Sequence, residues 1–136
     1  MVRLIMSGKG EGKTKQLMEL MESASANDNG CMVCIEASHS IGFSLRHKTR
    51  MIDAGEYQLT SFDALRGFLS GLYAGNYDIS HIFIDNLGKI VRSDSAQDME
   101  TFLQWMDTFG EGRGIKFTAT ISADPETATE GMRKYM

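Results

Sequence analysis

The 136-residue sequence has one proline, two cysteines and no long apolar run, and each shortage removes a class of protein. Apolar stretches such as Ile82-Phe83-Ile84 are far too short to cross a bilayer. The first residues pass from Arg3 directly into a glycine-rich segment, without the apolar stretch and small-residue cleavage site of a signal peptide. A cytoplasmic protein with no membrane partner is therefore expected. The cysteines, Cys31 and Cys34, have CxxC spacing inside a strand-like segment. Alternate strand residues point to opposite faces, so the pair is read as two small buried residues and not as a redox or metal pair. His39 and His81 have no companion cysteines or histidines at metal spacing, which argues against zinc. The net charge of -4 disfavours nonspecific nucleic-acid binding. Hydrophobic residues at 42% and charged residues at 24% exclude a disordered or collagen-like chain. Domains most often run to about 100 to 150 residues, so one domain over residues 1–136 is expected.

What is present is an alternation of strand and helix patterns. Val2 to Met6 forms a short apolar strand, and Leu17, Leu20, Met21 and Ala24 then recur at helical spacing. Asn27-Asp28-Asn29-Gly30 breaks that helix. Cys31 to Glu36 reads as a buried strand, Ser38 to Ile52 as a helix, and Tyr57 to Thr60 as a short strand. Phe62, Leu65, Leu69 and Leu72 mark a helix from Ser61 to Tyr73. Asp78 to Asp85 reads as a strand, nearly continuous in apolar character through Ile82, Phe83 and Ile84, as in a parallel strand covered on both faces. Met99, Phe102, Leu103, Met106 and Phe109 define a helix from Ala96 to Phe109. Glu111-Gly112-Arg113-Gly114 is a turn, and Ile115 to Ile121 is a last strand. The lone proline, Pro125, opens a short terminal helix. Strands alternating with helices imply a three-layer α/β/α sandwich around a mostly parallel sheet, with right-handed crossovers.

The chemistry concentrates in Ser7-Gly8-Lys9-Gly10-Glu11-Gly12-Lys13-Thr14. A glycine-rich turn between a strand and a helix can aim several backbone N–H groups at an anion, and the helix N-terminus adds its dipole. Gly8, Gly10 and Gly12 allow the tight backbone. Lys13 would reach the β and γ phosphates, and Thr14 would place its hydroxyl on Mg²⁺. The phosphate-loop pattern has glycine where this chain has Ser7, a small residue that needs little room. Asp85 closes the apolar strand Ile79 to Ile84, in the crevice where open α/β sheets bind ligands, and would hold Mg²⁺ directly or through water.

Nucleotide chemistry further needs a group that positions a water or an acceptor hydroxyl. Glu36 is the first candidate; the alternative is a carboxylate bonded to local backbone. Asn86 follows Asp85 and can orient a water but cannot take its proton. Thr120 and Ser122 end the last strand, as sensors of the γ phosphate or as ordinary turn residues. Arg113 is either an arginine acting on a neighbour's site or a surface charge. Arg46, His47, Lys48 and Arg50 form a basic cluster whose default role is a solvated face.

With SGKGEGKT, CMVCIEASHS, YDISHIFIDNLGKI and IKFTATIS in this order, the chain resembles the RecA-like and KaiC-like branch of P-loop ATPases. The resemblance implies ATP and Mg²⁺ as cofactors, with Lys9 and Glu11 among the loop residues around the phosphates. It also implies assembly with copies of itself and action on a protein or nucleic-acid partner. The family's catalytic glutamate falls closest to Ser38, with Glu36 two residues earlier on the same strand face. An ATPase coupled to a macromolecule is the first expectation. Two others stand beside it. One is a nucleoside or nucleotide kinase, although the chain has neither the four-cysteine cluster nor the Arg-rich lid of thymidine kinases. The other is a nucleotide-binding regulatory module with little turnover. No guanine-reading N/TKxD motif occurs, which favours adenine by default.

Overall fold

The computed structural model describes residues 1–8, 12–27, 30–37 and 49–136. Lys9, Gly10, Glu11, Ser38, His39, Arg46, His47 and Lys48, each given a role above, lie outside the described residues. The elements in chain order are β1 (Val2–Ser7), α1 (Lys13–Asn27), β2 (Cys31–Glu36), β3 (Thr49–Asp53), α2 (Phe62–Gly75), β4 (Ile79–Asp85), α3 (Leu87–Val91), α4 (Ala96–Glu111), β5 (Lys116–Ser122) and α5 (Glu130–Arg133). The strands form one five-stranded sheet in the order β1-β5-β4-β2-β3. Every pairing in it is parallel.

The two-residue period of the strands sorts their side chains onto two faces. On one face Leu4, Val33, Ile35, Ile82, Ile84 and Phe117 pack with Leu65 and Leu69 of α2 and with Phe102, Leu103 and Met106 of α4. On the other, Met32, Cys34 and Phe83 pack with Leu17 and Met21 of α1. Each fully buried side chain of this size stabilises the fold by about 1.5–3 kcal/mol. Because β4 is covered from both sides, its Ile82, Phe83 and Ile84 all have zero exposure, which accounts for its unbroken apolar run. The molecule is the three-layer α/β sandwich that the alternating pattern predicts.

The local differences have identifiable causes. Residues 49–53, expected in a helix over 38–52, form β3, because pairing with β2 from Met32↔Thr49 to Glu36↔Asp53 outweighs a weak helical pattern. Tyr57 to Thr60 is not a strand. The Asp53 carboxylate accepts from the Gly55 amide and starts a 3-10 turn over Ala54–Tyr57, and Gln58 follows in the left-handed region at φ 53°. Helix α3 was not anticipated, since five residues are too few to display a period. Cys31 packs on the α2 and α4 face and Cys34 on the α1 face, so alternation separates the two thiols. Among the described residues no group of three or more His, Cys, Asp or Glu could hold a metal, and no helix is long and apolar enough to cross a membrane.

Candidate functional site

The strands all point their C-terminal ends the same way, and the residues singled out by chemistry gather there. β1 ends at Ser7, and α1 begins at Lys13. Between them, Gly12 has φ +83°, a left-handed backbone in which a side chain would be strained. Its carbonyl accepts from Gln16 N at 3.0 Å, which starts the helix. Lys13 is buried, with 8% exposure. The first turn of α1 contains no acidic residue, so a buried lysine shares the positive end of the helix dipole. Two like partial charges in one place favour an anion between them.

Thr14 connects this helix to the sheet. Its hydroxyl donates to Asp85 Oδ2 at 3.3 Å and lies 3.5 Å from Oδ1. The Asp85 carboxylate is itself buried and accepts from the Thr120 hydroxyl at 2.8 Å. The same Thr120 oxygen accepts from the Asn86 amide at 2.7 Å. This arrangement follows from strand order. β5 lies between β1 and β4, and Thr120 is on the face shared with Asp85. Glu36 pairs in register with Asp85 across β2 and β4, which puts the two Cα atoms about 4.8 Å apart. Both carboxylates are buried. Their proximity also acts on Cys34, one alternate position before Glu36: burial, then Asp85, then Glu36 push its thiol well above the ordinary range. Cys34 is thus held as a neutral thiol and is a poor nucleophile or metal ligand.

Ser7, noted in the sequence only as a departure from glycine, has a buried Oγ without a hydrogen-bond partner among the described residues. A buried hydroxyl at the end of β1 with no partner among the described residues is free to hydrogen-bond a polar ligand. Nothing in the sequence marks it beyond its place in the motif.

The other candidates lie elsewhere. Asn86 has left-handed backbone angles and makes no side-chain cap to α3; it lines a cleft on the α4 side together with Ser122. The Arg113 guanidinium lies 4.2 Å from the Phe109 ring centroid and donates to the Phe109 carbonyl at 3.0 Å, folded against its own helix. Arg50 is on β3, across β2 from β4. His81 stacks on Phe83 at 4.0 Å between centroids, with Nε2 2.8 Å from Thr118 Oγ1, four residues before Asp85.

No family model matches the sequence, and no curated protein does. Solved structures match by shape. A KaiC-like protein from Pyrococcus horikoshii OT3 superposes with a TM-score of 0.64 at 13% identity, covering 98% of this chain and 68% of that one. The chain shares the fold of that KaiC-like protein. The flagellar accessory protein FlaH from Methanocaldococcus jannaschii matches with a TM-score of 0.56 at 13% identity, over 98% of this chain and 65% of its own length. The shared fold thus spans about two thirds of each neighbour, and in this chain it brings Lys13, Thr14, Glu36 and Asp85 to one edge of the sheet.

Proposed function

We propose that the chain binds ATP with Mg²⁺ at the phosphate loop and hydrolyses it, coupling the cycle to a macromolecular partner. The observation that carries this reading is the approach of the Thr14 hydroxyl to within 3.3 Å of the Asp85 carboxylate, beside the buried Lys13. The donor set fits the proposed ligands. Hydroxyl and carboxylate oxygens are the hard ligands that Mg²⁺ takes. A buried ammonium at a helix N-terminus and the unpartnered Ser7 hydroxyl suit a polyphosphate.

In this reading Lys13 neutralises the β and γ phosphates, while Thr14 and Asp85 hold the metal directly or through water. Bound Mg²⁺ would supply charge neutralisation on the phosphate oxygens. Glu36 orients the attacking water and accepts its proton. Thr120 fixes one Asp85 oxygen, so the other stays aimed at the site. Coupling to a protein or nucleic-acid partner, and assembly with further copies, extend the proposal from the named neighbours, one of which is a flagellar accessory protein.

The test is nucleotide turnover and MgATP affinity for the wild-type chain, Lys13→Ala and Glu36→Gln. Lys13→Ala should weaken binding by at least about tenfold. Glu36→Gln should retain binding while turnover falls by about 10²-fold or more. Equal turnover in wild type and Lys13→Ala would remove this site from the chemistry. Tight binding with no turnover in any chain would favour the regulatory module.

A further inference from the structure

On the opposite side of the sheet's C-terminal edge from α1 lies a second cleft, of about 470 Å³. That is within the range of small-molecule sites, about 300–1,000 Å³. Its apolar lining comes from Met6, Met99, Ile121 and Met132, and Lys89 and Arg92 also line it. Neither Lys13, Thr14, Glu36 nor Asp85 lines it, so the inference does not rest on the phosphate-loop reading.

Three features set this cleft apart from a gap in packing. The first is charge. Lys89 and Arg92 face one acidic lining residue, Asp94, in a chain of net charge -4. Neither cation has an ion-pair partner among the described residues. The second is backbone strain. The described residues other than glycine with positive φ are Gln58, Asn86 and Arg92, and the last two both line the cleft. They bracket α3, with Arg92 at φ 56° and its amide bonded to the Gly88 carbonyl. A left-handed arginine is strained, and a glycine in its place would not be. The third is the apolar wall itself. Three flexible methionines adapt to a flat ring more readily than branched side chains do.

We propose that this cleft binds a second small ligand, with a ring-sized apolar body and one oxyanion group. The body sits against Met99 and Met132, and the phosphate or carboxylate is held by Arg92 and Lys89.

The methionine methyl groups provide the readout. In the full chain labelled with ¹³C at methionine methyls, titration with phenyl phosphate or benzoate should move the Met99 and Met132 signals saturably. Met21 and Met32, packed on the α1 face, should not move. Benzyl alcohol, which lacks the charge, should bind about tenfold more weakly, and inorganic phosphate alone should leave the methyls in place. Comparison of phenyl phosphate with benzoate separates the two anion types. Arg92→Gly should weaken binding of the anionic probe about tenfold while the melting temperature rises, because the strain is removed. That opposite movement separates loss of ligand from loss of fold. Three results would each overturn the proposal: no saturable shift at Met99 and Met132, an equal response to benzyl alcohol, or binding abolished by Lys13→Ala and unchanged in Arg92→Gly. MgATP binding measured in the same variants reports on the phosphate loop separately.

Discussion

Thr120 has no solvent exposure, yet its hydroxyl works in both directions, donating to Asp85 Oδ1 and accepting from the Asn86 amide. Thr120→Val keeps the shape and removes both bonds, leaving the part-buried Asn86 N–H and the buried Asp85 carboxylate each without one partner. The expected cost is about 1–3 kcal/mol, read as a lower urea midpoint with an unchanged m-value. A surface or turn role would leave the midpoint in place. Cys34 provides the pH test at this scale. Its thiol pKa is raised in the folded protein by burial and by the nearby carboxylates, so the folded chain holds that proton more tightly than the unfolded chain does. The stability this provides is complete below the ordinary thiol value and declines as pH rises from there toward the folded value. Melts from pH 8 upward should therefore show wild type losing stability faster than Cys34→Ala, so that the cavity penalty of the variant shrinks with pH. Parallel curves would contradict this. Both residues stood out in the sequence as types, a polar strand-end residue and a buried cysteine. Their partners did not, because Thr120 and Asp85 are 35 positions apart.

The helices were legible where an apolar stripe ran through several turns, and least so at their ends. α2 and α4 are each capped by a serine: Ser61 accepts from the Ala64 amide and Ser95 from the Asp98 amide. The glycines at the C-terminal end of α4 look alike in the sequence and differ in the structure. A Cβ on Gly110 would lie 2.4 Å from the Ile115 carbonyl and 3.1 Å from the Phe117 ring, whereas one on Gly112 would meet nothing within 4 Å. Gly110→Ala should therefore destabilise by about 1–3 kcal/mol through backbone displacement. Gly112→Ala, at an ordinary φ of -74°, should be neutral or stabilise by up to about 1 kcal/mol. Thermal melts of the pair check this, and equal effects would refute the close approach. The misread element, β3, shows the complementary limit. Its side chains are mostly half-buried, so no clean alternation marks it, and it exists because β2 offers an unpaired edge.

At the scale of the molecule, sequence alone determined the alternation of strand and helix, hence a parallel sheet covered on both faces, and the glycine-rich segment ending in Lys13-Thr14. These follow from local periods and local backbone freedom, which need no knowledge of distant residues. Only the tertiary structure decided that β5 lies between β1 and β4. It also brought Thr14 within reach of Asp85, 71 positions away, and aligned Glu36 with Asp85. The α4-side cleft, with its two left-handed residues, is likewise a tertiary feature. Strand order depends on how each crossover helix packs against the sheet, a choice shared by many side chains and written in no single segment.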